Sequence, residues 1–216
     1  MLSKDKTAML LAEFFGTFVL TAAVLGMITK IGIPFFAAAT AGITLALMVL
    51  LIGKISGSHV NPAVTFGLWS VKKIQTNQAI VYIAVQFLGA LSALRLGEYF
   101  LDKQLVALAG TTVDWRVFIA ESVGTFIFTF GIAAAISQGA QDGKLAAAIG
   151  MSLFVGIVIA SMASNGILNP AVAVGLRSVN VSYLVGPLVG SLLGMNIYEY
   201  VFATKPAKKK ITKKKK

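Results

Sequence analysis

Two asparagines in this sequence stand in the same uncommon setting, Asn61-Pro62-Ala63-Val64 and Asn169-Pro170-Ala171-Val172. An Asn directly before a Pro is suited to start a helix. Its side-chain oxygen accepts an orphan backbone N–H, and Pro at the first helical position presets φ without wasting a donor. The amide NH₂ of each Asn then remains as a free donor, and two such donors facing each other can hydrogen-bond the oxygen of a passing water or alcohol. Two helix N-termini at one place, each carrying about half a positive charge, raise the local potential against cations and protons. The chemistry on offer is recognition of small uncharged molecules, with no bond made or broken. Each motif opens a short segment, 61–71 and 169–179, preceded by the breakers Ser56, Gly57 and Ser58 or Ser164, Asn165 and Gly166. About ten residues of helix reach ~15 Å, half the ~30 Å of a hydrocarbon core. Two such half-helices entering from opposite faces meet at the centre and form one broken span.

The elements that position these motifs are membrane spans. The chain is 57% hydrophobic and 12% charged, with a mean hydropathy of +0.84, whereas charge on about a quarter of residues is usual in soluble domains. Apolar stretches at Ala8–Ile28, Ile33–Gly53, Ala79–Phe100, Trp115–Ile136, Leu145–Ala163 and Val181–Ala203 approach or exceed the ~20 residues a span needs. Six spans place both termini on one side. The net charge of +11 does not point to nucleic acid, because its largest block is the tail at 205–216, after the last span. Lys4, Lys6, Lys54, Lys72, Lys73 and Lys144 fall on the same side as that tail, against Lys30, Lys103, Arg116 and Arg177 opposite. The positive-inside rule then puts both termini in the cytoplasm. The N-terminal apolar run carries Glu13 and lacks a small-residue cleavage site, so it reads as the first span rather than a signal peptide. With no cysteine, disulfides and thiolate metal sites are excluded, and neither a cofactor nor a catalytic constellation is expected.

An internal repeat orders the chain. Ala12-Glu13 with Gly16-Thr17-Phe18 recurs as Ala120-Glu121 with Gly124-Thr125-Phe126. The step of 108 from residue 13 to 121 is the step from Asn61 to Asn169, and it is half of the 216 residues. A weaker match, Gly89, Glu98 and Tyr99 with Gly190, Glu199 and Tyr200, has an offset of 101 and marks a shorter link in the second half. The reading is a three-span unit at 1–108, its repeat at 109–204, and a Lys-rich tail at 205–216. Three spans being odd, the halves enter the membrane in opposite orientations, with the solute path between them.

At these residues the chain resembles the aquaporin family. Ser56-Gly57-Ser58-His59-Val60-Asn61-Pro62-Ala63-Val64-Thr65 is similar to that family's first signature loop and Asn169-Pro170-Ala171 to its second. Glu13 and Glu121 in spans one and four and Gln86 in span three complete the pattern. The resemblance implies an all-α membrane protein of six transmembrane helices and two re-entrant half-helices, an inverted repeat. It also implies a homotetramer in a lipid bilayer with one pore per subunit for small neutral permeants. One departure bears on substrate. Where most members carry Arg after the second motif, this chain has Val172. The remaining filter positions fall by ungapped spacing on Ala41, Ile157 and Gly166, so a wide, apolar constriction is expected. Arg177 sits eight residues past Asn169, about 12 Å along the helix, near the mouth, where it attracts anions or caps the helix.

Several residues keep two readings. Glu13 and Glu121 serve as proton-relay groups or, as the resemblance implies, accept hydrogen bonds from loop backbone that lipid cannot satisfy. Gln86 shares the second role. His59, the sole histidine, gates with pH or is packed and hydrogen-bonded beside the pore. Gly186, Gly190 and Gly194, echoed by Gly89, Ala93 and Gly97, line a path or let helices cross closely. The Lys tail binds anionic headgroups or only sets topology. Against the channel stands a secondary transporter, which inverted repeats also build; it requires Glu13 or Glu121 as coupling groups.

Overall fold

The structure, a computed structural model, describes residues 3–110 and 112–203. The tail at 205–216 lies outside the described residues. Among them are eight α-helices and no strand: α1 (Lys4–Lys30), α2 (Pro34–Ser56), α3 (Pro62–Ser70), α4 (Thr76–Leu101), α5 (Trp115–Ser137), α6 (Asp142–Ala160), α7 (Pro170–Gly175) and α8 (Val181–Ile197). A π-turn at Tyr198–Phe202 extends α8. Six helices are long and apolar enough to cross a membrane: α1, α2, α4, α5, α6 and α8 with its extension. The remaining two, α3 and α7, are the half-helices.

Side-chain size sorts the faces. In α2 the buried positions include Ala38, Ala41, Gly42 and Leu45, while Phe35, Ile43, Leu47, Leu50 and Leu51 face outward. Large apolar groups gain nothing by leaving lipid for protein, so close packing of small residues sets the helix contacts. A Cβ on Gly89 would strike the Phe14 carbonyl oxygen where α4 crosses α1, and one on Gly190 would strike that of Ser122 where α8 crosses α5. Phe14 and Ser122 are 108 apart, Gly89 and Gly190 101 apart, so one crossing is built twice. Between the halves, α2 meets α6 through Gly42 and Gly150. A Cβ on Gly42 would lie 2.7 Å from the Gly150 carbonyl oxygen. These glycines are partners at the 108 offset, so the pseudo-two-fold axis runs between them.

The half-helices cross over. α3 of the first half packs on α8 through Gly67, beside Ser191 and Met195, and α7 of the second packs on α4 through Gly175, beside Thr21 and Ala90. The segment expected to be helical over 169–179 is shorter in the structure, where α7 ends at Gly175. Both half-helices stop at a left-handed residue, Lys72 (φ 61°) after α3 and Arg177 (φ 55°) after α7. The Lys73 N–H donates to Leu68 O and the Ser178 N–H to Ala173 O, each at 2.8 Å. The same stop comes about one turn earlier in the second half, which accounts for part of the shortened offset. Span six likewise ends at Phe202 and span five occupies Asp142–Ala160 rather than Leu145–Ala163.

Gly190→Ala forces a methyl against the Ser122 carbonyl, backbone that cannot step aside, and overpacking of this kind costs about 1–3 kcal/mol. A clearly lower thermal unfolding midpoint in detergent is expected. Gly26→Ala, whose new methyl meets nothing within 4 Å, is the matched control and should leave the midpoint unchanged or raise it.

Candidate functional site

Each half-helix is entered through an irregular loop that must bury its backbone. The chain turns left-handed at Gly57 (φ 92°), Ser58 (φ 49°) and Val60 (φ 42°), and again at Gly166 (φ 61°) and Leu168 (φ 54°). Such a path leaves several N–H groups without helical partners, and lipid offers none. Glu13 supplies them. Its Oε1 accepts from the Ser56 hydroxyl (2.6 Å) and the His59 N–H (2.9 Å), and its Oε2 from the Val60 N–H (2.7 Å) and Gln86 Nε2 (2.8 Å). Glu121 does the same in the second half, accepting from the Ser164 hydroxyl (2.8 Å) and the N–H groups of Ile167 (2.9 Å) and Leu168 (2.7 Å). The Ser58 N–H donates to Ser56 Oγ and the Gly166 N–H to Ser164 Oγ. Both Glu side chains are fully buried.

Gln86 and His59 belong to the first loop's bracing. Gln86 Nε2 gives its second hydrogen to Thr65 Oγ1 (3.0 Å), which also lies 3.1 Å from His59 Nδ1 and 3.1 Å from the Asn61 carbonyl oxygen. The His59 ring packs edge-on against Tyr82, centroids 5.3 Å apart. Tyr82 donates to Ser56 O (3.0 Å), and Tyr183 accepts from the Asn165 N–H (3.1 Å). These two tyrosines are 101 apart and brace equivalent loops. The sequence reading passed over both, although the offset already found would have paired them.

The two Asn residues cap their helices as expected. Asn61 Oδ1 accepts from the Ala63 N–H (2.8 Å), and Asn169 Oδ1 from those of Ala171 (3.0 Å) and Val172 (3.3 Å). Their amides are not wholly free, however. Asn61 Nδ2 donates to Leu168 O (2.9 Å) and Asn169 Nδ2 to Val60 O (3.0 Å). Each amide thus meets a carbonyl of a fully buried residue on the facing loop. One amide hydrogen is thereby committed across the axis, and the planar amide fixes the direction of the other.

Two cavities lie on either side of this junction. One, of about 240 Å³, opens on the face where α7 ends; Asn61, Asn169, Ala41, Ile157, Gly166 and Val172 all line it, with Leu20, Leu153 and Ile167. The other, of about 400 Å³, opens on the face holding the N-terminus, where Lys54, Lys73 and Asp142 form its rim. Leu45, His59 and Phe128 line both. The walls are therefore mostly aliphatic, with the Asn amides as donors between them. Such a path offers a neutral molecule hydrogen bonds at one level and a low-dielectric wall elsewhere, which an ion cannot tolerate.

Arg177 is engaged with a neighbouring connection. Its Nη1 donates to Leu105 O (2.7 Å) and lies 3.7 Å from Glu98 Oε1, tying down the α4–α5 connection. Leu108 of that connection reaches the first cavity.

The family model described as Major intrinsic protein matches residues 1–198. The chain is 32% identical to aquaporin AqpM of Methanothermobacter marburgensis, over 74% of this chain and 74% of that protein. It is 33% identical to human aquaporin-4 over 74% of its own length and 54% of the relative's. Among solved structures it resembles the aquaglyceroporin from Plasmodium falciparum, with a TM-score of 0.76 and 22% identity over 91% of this chain and 96% of the other.

Removing one carboxyl tests the bracing. Glu121→Ala strips the acceptor from the Ile167 and Leu168 N–H groups and the Ser164 hydroxyl, and each buried donor left unpaired costs about 1–3 kcal/mol. Little folded protein is expected after detergent extraction, by size-exclusion profile and thermal unfolding. Glu121→Gln, which keeps one acceptor oxygen, should fall between this variant and the wild type.

Proposed function

The chain belongs to the major intrinsic protein family, and from its site we propose that it is a passive channel for water and small uncharged solutes with a wide, apolar outer constriction. The observation that carries this reading is the Asn61–Asn169 pair, each amide held by the opposite loop and both lining the cavity that ends at the junction. Fixed donors at the narrow centre replace part of a permeant's hydration, as hydrogen-bonding groups in a pore do. The half-helix N-termini add positive potential there. Glycerol, urea, ammonia and hydrogen peroxide are the neutral candidates beside water.

Ala41, Ile157, Gly166 and Val172 form the outer filter in this proposal. Their shared cavity supports the grouping. With Val172 in place of a guanidinium, the filter lacks five fixed donors and a permanent charge. Small side chains at Ala41 and Gly166 leave room for solutes larger than water. Glu13 and Glu121 are engaged in holding the loops, which disfavours the ion-coupled transporter that would need one of them to titrate during transport.

The setting follows from the same features. The outward Leu, Ile and Phe side chains suit lipid and neighbouring copies, and a homotetramer in the cell membrane with both termini in the cytoplasm accords with the family and with the distribution of Lys and Arg.

Stopped-flow light scattering tests the function directly. Proteoliposomes without any ion gradient are expected to shrink in sucrose faster than protein-free liposomes, and to reswell faster in glycerol or urea. No difference from protein-free liposomes would overturn the channel reading. The filter has its own test. Val172→Arg adds bulk and charge where solutes shed water, so glycerol or urea permeability should fall several-fold more than water permeability. An equal fractional loss for all solutes would remove Val172 from the filter.

A further inference from the structure

The link between the two halves belongs to neither repeat. α4 ends at Leu101 and α5 begins at Trp115, and among the described residues these two helices make no contact with each other. The chain that joins them therefore has to cross the face where α7 ends. Irregular connections of this length that run over a site commonly carry function.

Four side chains of the second half hold the link. Asn165 Nδ2 donates to Leu108 O (3.3 Å), Arg177 Nη1 to Leu105 O (2.7 Å), Asn180 Nδ2 to Gly110 O (2.7 Å) and the Ser182 hydroxyl to Asp114 O (3.0 Å). All four donors fall in the segment that leads into α7 and from it into α8. Their counterparts at the 108 offset are Gly57, Trp69, Lys72 and Ile74, which offer no amide or guanidinium side chain. This bracing is therefore built at one end of the pore and not repeated at the other.

The bracing sets one side chain over the solute path. Leu108 lines the first cavity, beside Gly166 and Ile167. It also lines a neighbouring cavity of about 280 Å³ under the link, as do Ile28 and Leu176. These three residues form an apolar wall shared by both cavities. Leu108 is 47% exposed, so its side chain is open to whatever fills them. Leu105 is buried and serves as the anchor.

Resting on the channel reading, we propose that Leu108 is a specificity-determining residue of the outer mouth, narrowing the approach to the filter, with Asn165, Arg177 and Asn180 as its positioning residues. The ring of Ala41, Ile157, Gly166 and Val172 holds no charged side chain to oppose ions. An apolar wall at the approach opposes them by another route, because a hydrated ion would give up water to a side chain that offers no polar group in return. Neutral solutes lose less, and the larger ones are sorted by the width that Leu108 leaves.

The chain has no cysteine, so a single introduced thiol reports on its own position. Leu108→Cys in proteoliposomes is labelled with a bulky methanethiosulfonate reagent on both sides of the membrane, and labelling is read by mass. Water, glycerol and urea fluxes are compared before and after. Labelling is expected to lower flux several-fold, more for glycerol and urea than for water, and a reducing agent should restore it. The water measurement alone decides this where the wild type passes nothing larger. Val106→Cys, on the same link but outside the first cavity, should label without loss of flux. In Leu108→Ala the ratio of glycerol or urea flux to water flux should rise roughly three- to tenfold, at or below the low end of what one methylene of space decides in an apolar pocket. Asn180→Asp keeps the oxygen that accepts from the Tyr183 N–H and caps α8, and removes only the donor to Gly110 O. Its thermal midpoint should hold while the flux ratio moves in the direction of Leu108→Ala; an unchanged ratio would remove Asn180 from the positioning residues. Full flux in labelled Leu108→Cys, an equal loss in labelled Val106→Cys, or an unchanged ratio in Leu108→Ala would overturn the assignment while the channel stood. Wild-type vesicles no more permeable than protein-free ones would overturn both.

Discussion

The middle of a bilayer holds no water, so an irregular stretch of backbone placed there must find its partners within the protein. Everything distinctive in this structure follows from meeting that condition twice. The loops before α3 and α7 turn through left-handed conformations that no helix or sheet can satisfy. Glu13 and Glu121 each gather loop N–H groups onto two oxygens from a neighbouring span. An acceptor-only group with two oxygens and a fixed fork suits this task better than any neutral side chain. Because these carboxyls hold the loops, the Asn side chains can be spared for the axis and their helices can begin there.

Holding the loops also dictates the packing around them. Spans one and four must approach spans three and six until carboxyls, Gln86, Tyr82 and Tyr183 come within hydrogen-bonding reach. That closeness is possible where Gly89 and Gly190 let backbone touch backbone. Small residues here are thus a condition of the polar network, and large aliphatic ones are displaced to the lipid face. The pore walls are what remains between the helices when both demands are met.

Much of this was legible in the residues. Hydropathy located the six spans to within a few positions, and the 108 offset located both half-helices, since Asn-Pro announces a helix start by local chemistry. The roles of Glu13 and Glu121 stay open between proton relay and bracing until their partners are visible, because a carboxyl's job depends on what faces it across some forty residues of chain. The length of α7 was misjudged. Nothing local forbids helix at Leu176; α7 closes on the left-handed Arg177, whose side chain is held by the Leu105 carbonyl and Glu98, contacts with a distant segment that local sequence does not display. The amide donors were read as free for a similar reason, since the carbonyls that take them belong to the opposite half.

The exchange of hydrogen bonds between Asn61 and Leu168 and between Asn169 and Val60 is self-complementary: each half gives to the other what it receives. The Gly42–Gly150 contact has the same property. An interface in which one surface meets its own copy is the kind formed by two identical subunits about a two-fold axis. A single three-span ancestor could therefore have assembled this pore as an antiparallel pair, two copies of one polypeptide inserted in opposite senses. Such a precursor would have needed nearly balanced charge at its two ends in order to insert both ways. Once fused, each half is free to acquire its own bias, and the halves of this chain differ accordingly at Gln86 and Pro187, at Ser58 and Gly166, and in the length of their half-helices.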